Sequence, residues 1–126
     1  MVYIFVLLLE NNKYYINTTN NNSFKLTDLN NMPKPDWIVI HKPKQVIEII
    51  SNCTEADSLK YTLKYMKKYG LQNVRGGPYS NSFLDTESKT KIQKLIETKN
   101  LWNLICIYLS VNNYYLTSCV CIFSFN

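Results

Sequence analysis

The sequence contains few charged residues and no long apolar run, and each shortage excludes some classes of protein. Charged residues make up 18% of the 126 positions and hydrophobic residues 46%, which is typical of a globular domain and unlike a disordered chain. The apolar run at the N-terminus stops at Glu10, too early for a complete signal peptide or a membrane span. We expect one domain, located inside the cell, with no membrane span.

Cysteine and histidine are also scarce. The four cysteines, Cys53, Cys106, Cys119 and Cys121, are spaced like neither a secreted disulfide framework nor an intact zinc site, which favours reduced thiols. The one histidine, His41, has no acid or cysteine close by in the sequence, so a surface or strand-edge residue is favoured over a catalytic base. Positive charge is in modest excess: the net charge of +5 favours polyanionic partners such as nucleic acid.

Three segments carry the pattern of β-strands. Residues 2–9 are β-branched, aromatic and aliphatic without a polar interruption, which is typical of a strand buried on both faces. Residues 10–13 form a turn and residues 13–17 the returning strand of a hairpin. A third strand is predicted at 44–50, and the glycine-containing stretch 74–78 is predicted to be a tight loop.

The helices are placed by their capping signals. The main helix, 55–69, follows a capping box from Thr54 to Asp57 and ends at the next glycine. A short helix is predicted at 23–29 and a further helix at 86–98.

This order of elements predicts an α+β fold, a small mixed three-stranded β-sheet flanked by helices and followed by an apolar tail. Residues 1–80 form the main domain, 81–100 an additional helix and 101–126 the tail. The tail is predicted to hold two strand-like runs around Asn112-Asn113, and its second run, Val120–Phe123, could pair with the sheet edge or another subunit.

Several spaced segments resemble one known family, the GIY-YIG endonuclease superfamily, in the form found in large DNA viruses that infect amoebae. The similarity covers about residues 2–80, and its most specific part is the helix that runs into Val-Arg-Gly-Gly. The matching segments are Tyr3-Ile4-Phe5, Tyr15-Ile16-Asn17, Trp37, Lys42-Pro43 with Val46–Ile50, Lys60–Gly70 and Asn73–Gly77.

The resemblance implies metal-dependent DNA cleavage, but the catalytic positions are altered. In such nucleases a tyrosine of the first triplet activates water, an arginine stabilises the scissile phosphate and a glutamate holds one divalent cation. Tyr15 and Asn73 are retained. The altered positions are Phe5 for the tyrosine, Asn17 for a glycine, Lys25 for the arginine and Ser58 for the glutamate.

Two functions follow from the resemblance. The first is a catalytically degraded nuclease-like protein, viral by its resemblance, kept as a nucleic-acid-binding or virion-assembly module in the host cytoplasm or virion, without a cofactor. The second is a weakly active DNA endonuclease, in which Tyr15 supplies the hydroxyl, Lys25 the charge, and Asp57 or Glu55 binds Mg²⁺ or Mn²⁺.

Basic residues of the main helix are the candidate nucleic-acid contacts. Their stripe could follow a phosphate backbone or simply be a solvated helix face, and Arg75 could contact phosphate or pack against Tyr79. The stripe consists of Lys60, Lys64, Lys67 and Lys68.

The tail resembles a degraded CCHC zinc knuckle of the kind that viral relatives carry. Cys106 and Cys119 have its outer spacing, but Leu109 and Tyr114 stand where the inner cysteine and the histidine belong. Two ligands cannot close a tetrahedral site, so zinc is not expected.

Overall fold

The hairpin that opens the chain lies at the centre of a four-stranded mixed sheet with the order β3-β1-β2-β4. The structure, a computed structural model, describes residues 2–111, with side chains through residue 98. β1 is antiparallel to β2 and to β3, whereas β2 and β4 are parallel. The strands are β1 Val2–Leu9, β2 Lys13–Thr19, β3 Pro43–Cys53 and β4 Val74–Gly76.

The prediction of three strands was therefore wrong by one. Residues 74–76, predicted as part of a loop, form the edge strand β4. A strand of three residues next to two glycines carries too short a pattern to be separated from a turn. The predicted burial of β1 is confirmed, since Ile4 through Leu7 are fully buried.

Three α-helices and three 3₁₀ segments complete the described part of the chain. The predicted helix at 23–29 is instead a 3₁₀ segment, Leu26–Asn31, and α1 follows Pro35, where the sequence predicted only a break. The remaining bounds are α1 Asp36–Ile40, α2 Asp57–Tyr69 and α3 Thr86–Val111, with 3₁₀ segments Glu10–Asn12 and Leu71–Asn73.

α3 is much longer than predicted. It continues through residues 101–111, so the prediction of a strand-like run there was wrong. An apolar run without glycine or proline suits a helix as well as a strand, and periodicity alone does not separate them. Cys106 and Leu109 lie on this helix, whereas Tyr114, Cys119 and the predicted strand at 120–123 lie outside the described residues.

The chain divides into two compact units, Met1–Leu84 and Asp85–Asn126. The predicted domain boundaries at residues 80 and 100 stay predictions. In the second unit Asp85 caps α3 by accepting a hydrogen bond of 2.7 Å from the Ser88 amide. Within residues 2–111, no helix is long and apolar enough to cross a membrane.

The two faces of the sheet are covered by different segments. On one face the side chains of Phe5, Leu7 and Leu9 share a core cluster with the 3₁₀ segment and α1. Alternate residues point to the other face, where α2 packs against β2 and β4 and buries Leu63 and Met66. The cluster on the first face also includes Tyr15, Phe24, Leu29, Trp37 and Ile38.

β4 approaches β2 and α2 so closely that only glycine fits at its end. A Cβ on Gly76 would lie 2.2 Å from the Ile16 carbonyl oxygen and 2.8 Å from Thr62 Oγ1. Gly77 follows with a φ of +51°, in the left-handed region, and its amide donates to the Ile16 carbonyl over 3.0 Å. The Gly-Gly pair thus has a packing role in this fold.

Candidate functional site

Phe5 and Tyr15, the two aromatic positions of the nuclease-like hairpin, are core residues. Phe5 is fully buried and stacks on Phe24 with ring centroids 4.1 Å apart. The ring of Tyr15 lies 6.1 Å from that of Phe5, and only 4% of its surface is exposed. Neither ring has the access to water and phosphate that nucleophile activation needs.

Asn17 holds the hydroxyl of Tyr15. Its Nδ2 donates to Tyr15 Oη over 2.7 Å, and its Oδ1 accepts from the Thr18 amide over 2.8 Å. Lys25 follows Phe24 in the chain and is exposed. Its backbone amide donates to the Asp28 carboxylate over 2.8 Å, which orders the start of the 3₁₀ segment. Tyr15, Asn17 and Lys25 are therefore grouped at one face of the sheet.

Asp57 acts as a helix-terminal acid. Its Oδ2 accepts hydrogen bonds from the Thr54 amide over 2.7 Å and from Thr54 Oγ1 over 3.2 Å. This is the carboxylate half of the capping box that the sequence predicted, although the hydroxyl donates to the acid and makes no bond to an amide. The carboxylate is favoured there by the dipole of α2.

Ser58, where the resemblance to the nucleases would place a glutamate, is buried with 7% of its surface exposed. Its Oγ donates to the Glu55 carbonyl over 2.9 Å and lies 3.1 Å from where a Cβ on Gly77 would be. No space for a longer side chain remains between α2 and the Gly-Gly pair.

Glu55 belongs to a shallow polar cleft beside the end of β2. Its Oε2 accepts from Thr18 Oγ1 over 3.0 Å. Thr18 and Tyr15 leave β2 on opposite faces, because side chains alternate along a strand. The acids predicted as metal ligands are thus separated by the sheet from Tyr15. The cleft, about 610 Å³, is lined by Thr18, Thr19, Asn20, Asn21, Met32 and Glu55.

No sequence pattern indicates this cleft, because most of its polar residues lie in or beside an asparagine-rich stretch that resembles any loop. Among the described residues, no group of three or more His, Cys, Asp or Glu side chains is arranged to hold a metal ion. The predicted Mg²⁺ or Mn²⁺ site stays a prediction.

Asn73 joins α2 to the hairpin. Its Nδ2 donates to the Tyr69 carbonyl at the end of α2 over 2.7 Å, and its Oδ1 accepts from Lys13 Nζ over 2.7 Å. An asparagine that satisfies a helix-terminal carbonyl and a lysine from β2 has a structural explanation that is independent of catalysis.

Arg75 is buried, with 5% of its surface exposed, and each nitrogen of its guanidinium donates at least one hydrogen bond. Burial lowers the pKa of Arg75, and the negative charge of Asp36 partly offsets this effect. The guanidinium carbon lies 4.5 Å from the centre of a ring of Trp37. The Nη1 of Arg75 donates to the carbonyls of Leu71 (2.6 Å) and Val74 (2.8 Å). Its Nε donates to the carbonyl of Asn81 (2.9 Å) and its Nη2 to that of Ser82 (2.8 Å).

These contacts favour packing over phosphate binding for Arg75, and the packing partner is Trp37, where the sequence suggested Tyr79. Asp36 completes the arrangement by accepting from the Ser82 amide over 2.8 Å and from its hydroxyl. This hydrogen bonding lowers the pKa of the Asp36 carboxyl.

The predicted lysine stripe lies on the solvent side of α2. Lys64, Lys67 and Lys68 are exposed and Lys60 is half-buried, opposite the inward-facing Leu63. The ammonium groups of Lys60 and Lys64 lie 5.6 and 5.8 Å from the centre of the Tyr61 ring. We call the surface formed by Lys60, Tyr61, Lys64, Lys67 and Lys68 the basic face.

Other tyrosines of α2 are engaged with the hairpin. Tyr69 stacks on Tyr14 with ring centroids 4.3 Å apart, and Tyr65 Oη donates to Glu48 Oε1 over 3.0 Å. Burial, followed by the Glu48 hydrogen bond, raises the pKa of Tyr65. Tyr14 and Tyr15 leave β2 on opposite faces, as the sequence required.

His41 packs on the indole of Trp37, with ring centroids 4.5 Å apart. Among the described residues its buried Nδ1 has no hydrogen-bond partner. Burial lowers the pKa of His41, and the positive charges of Lys13 and Arg75 lower it further, against an opposing effect of Glu10. This environment is a packing site for a neutral imidazole.

Comparisons of the chain with protein families, curated proteins and solved structures find no match.

Proposed function

We propose that this chain is a nuclease-like protein of the GIY-YIG type, of viral origin, that has lost its catalytic groups and binds nucleic acid through the basic face of α2. The observation that carries the proposal is a contrast of exposure. Phe5, Tyr15 and Ser58 are buried and Asp57 is a capping residue, whereas Lys64, Lys67 and Lys68 of α2 are exposed.

The proposal is supported first by the state of the hairpin. Phe5 keeps the ring of a tyrosine without its hydroxyl, and the hydroxyl of Tyr15 is buried and held by Asn17. Asp57 is occupied by Thr54 at the start of α2. These groups stabilise the fold, so the scaffold would persist after the chemistry was lost.

The electrostatics of α2 are the second support. Within the described residues, Lys60, Lys64 and Lys68 make no ion pair, so their charges remain available to an anion. Their ammonium groups lie only near tyrosine rings, at distances where the attraction is weak for exposed lysines. Phosphate oxygens would compete well with such contacts.

The test is a titration of labelled DNA at low salt with a charge-matched control. Lys64→Gln/Lys68→Gln removes two positive charges from the basic face, and Lys89→Gln/Lys94→Gln removes two from α3. We expect the first variant to bind roughly fivefold or more weakly and the second to bind like the unaltered chain. Equal affinities of the two variants would overturn the proposal, because net charge alone would then explain binding.

The alternative is a weakly active DNA endonuclease that uses Tyr15, Lys25 and either Glu55 or Asp57. It is tested with supercoiled DNA in Mg²⁺ and in Mn²⁺. Nicking that depends on the cation and disappears in Lys25→Ala would establish this alternative. We expect no such cleavage, because Tyr15 and the two acids lie on opposite sides of the sheet.

A further inference from the structure

Tyr61 differs from the other tyrosines that α2 presents. Among the described residues its ring touches no other aromatic ring and its hydroxyl has no hydrogen-bond partner. Tyr65, in contrast, contacts two other tyrosine rings and donates to Glu48, and Tyr69 stacks on Tyr14. The ring is half-exposed at the centre of the basic face, between Lys60 and Lys64. Two ammonium groups thus lie within 5.8 Å of the centre of a planar ring.

We propose that the basic face binds single-stranded nucleic acid, with one unpaired base stacked on Tyr61 and the adjoining phosphates on Lys60 and Lys64. This inference rests on the proposed function and narrows its ligand. A base stacks on an aromatic side chain through its face, which duplex DNA keeps inside the helix. The two ammonium groups within 5.8 Å of the ring centre can reach the phosphates that adjoin such a base.

The length of the face also fits a single strand. Residues 60 to 68 extend over about 12 Å of helix axis. At about 3.4 Å of axial length per nucleotide of one strand, this corresponds to three or four nucleotides.

A membrane surface is the competing anion, and the geometry disfavours it. The apolar residues of α2, Leu63 and Met66, are buried under the helix, with 2% of each exposed. An interfacial helix needs such residues on its outer side to insert among lipids. Tyr61 alone supplies little apolar area.

The experiment measures binding of a fluorescent oligothymidine of about 12 nucleotides, a length within the usual site sizes of single-strand binders. A DNA duplex and vesicles of phosphatidylcholine with phosphatidylserine are the other probes. The variants are Tyr61→Leu, which removes the ring, and Tyr61→Phe, which keeps it. Thermal unfolding of both variants shows whether α2 is intact.

We expect Tyr61→Leu to weaken oligothymidine binding roughly fivefold or more and to leave duplex binding unchanged, while Tyr61→Phe binds like the unaltered chain. Equal oligothymidine affinity of the leucine and phenylalanine variants would overturn the inference. Tighter binding to duplex or to vesicles than to oligothymidine would also overturn it. The proposed function is overturned by a different result, namely that the Lys64→Gln/Lys68→Gln variant binds every DNA probe as tightly as the Lys89→Gln/Lys94→Gln control does.

Discussion

The guanidinium of Arg75 donates hydrogen bonds to four backbone carbonyls, those of Leu71, Val74, Asn81 and Ser82. A cation used in this way fixes the segment after β4 in place. Trp37 and Asp36 surround it and join the same segment to α1. The stability of this part of the fold therefore depends on Arg75, for which the sequence left phosphate contact and packing both open.

Replacing Arg75 by methionine should lower the free energy of unfolding by about 3 kcal/mol or more, because buried carbonyls lose charge-assisted hydrogen bonds. Lys68→Met, at an exposed cation, should change stability by about 0.5 kcal/mol or less. Urea unfolding measures both. Equal stabilities of the two variants would show that the hydrogen bonds of Arg75 do not stabilise this part of the fold.

His41 makes stability depend on pH. Because its pKa in the folded chain is below the ordinary value of 6.5, the unfolded chain takes up a proton first as the pH falls. Its contribution is therefore present above pH 6.5 and is lost as the pH falls from there through the folded pKa. The pKa values of the Asp36 and Asp85 carboxyls are lowered in the folded chain. Their contributions to stability are therefore lost at more acidic pH, as the pH falls from the ordinary pKa of a carboxyl through the lowered values.

We expect the unfolding midpoint to fall between pH 7 and pH 5, and the fall to be smaller in His41→Gln. Denaturant titrations at each pH, analysed as differences between the two chains, give this contribution. A pH profile that is identical in the variant would contradict a buried neutral imidazole.

At the scale of elements, the sequence predicted strongly patterned segments and missed short ones. β1, β2 and α2 were placed correctly because their apolar periods and capping residues extend over several residues. β4 was missed because its pairing partner, β2, lies about sixty residues earlier, and nothing local records that contact. α1 and the 3₁₀ segment are held by the tertiary packing of Leu29, Trp37 and Ile38.

The candidate site shows the same limit. The retained tyrosine could be read from the hairpin, but its burial, and its separation from the acids by the sheet, follow from packing and topology. The lysine stripe was predictable because helical spacing alone places its members together. The structural use of Arg75 was not, because its partners are carbonyls of residues that have no side-chain signature.

A glutamate introduced at Ser58, where the nucleases that the chain resembles hold their metal, should destabilise the fold. Ser58→Glu would place a longer, charged side chain where Ser58 is buried against Gly77, so we expect a loss of about 2 kcal/mol or more. Ala56→Glu, at an exposed position near the same helix start, should be neutral or slightly stabilising. Thermal unfolding compares the pair, and a Ser58→Glu chain as stable as Ala56→Glu would show that α2 has space for the acid.

At the scale of the whole molecule, the net charge of +5 is modest, so binding to nucleic acid should rely on where the charge lies. Four lysines on α2 set an upper limit on its phosphate contacts. For a single strand we expect the logarithm of affinity to fall against the logarithm of salt concentration with a slope of about −3 or shallower.

Titrations of oligothymidine over a series of salt concentrations measure this slope. In the Lys64→Gln/Lys68→Gln variant the slope should become shallower by roughly 1.4. A slope much steeper than −3 would mean that further cations, outside α2, contact the strand.

The parallel pairing of β2 with β4, which we call the seam, affects the order in which the parts of the fold form. The hairpin and α2 form from neighbours in sequence, whereas the seam must bring together residues about sixty positions apart around the closely fitted Gly76. We expect the seam to close after the folding transition state, so Gly76→Ala should accelerate unfolding and leave the folding rate nearly unchanged. In a chain that is still folding, the hairpin would then form before Arg75 becomes buried. Stopped-flow measurements of folding and unfolding rates in the Gly76→Ala variant would reveal that order.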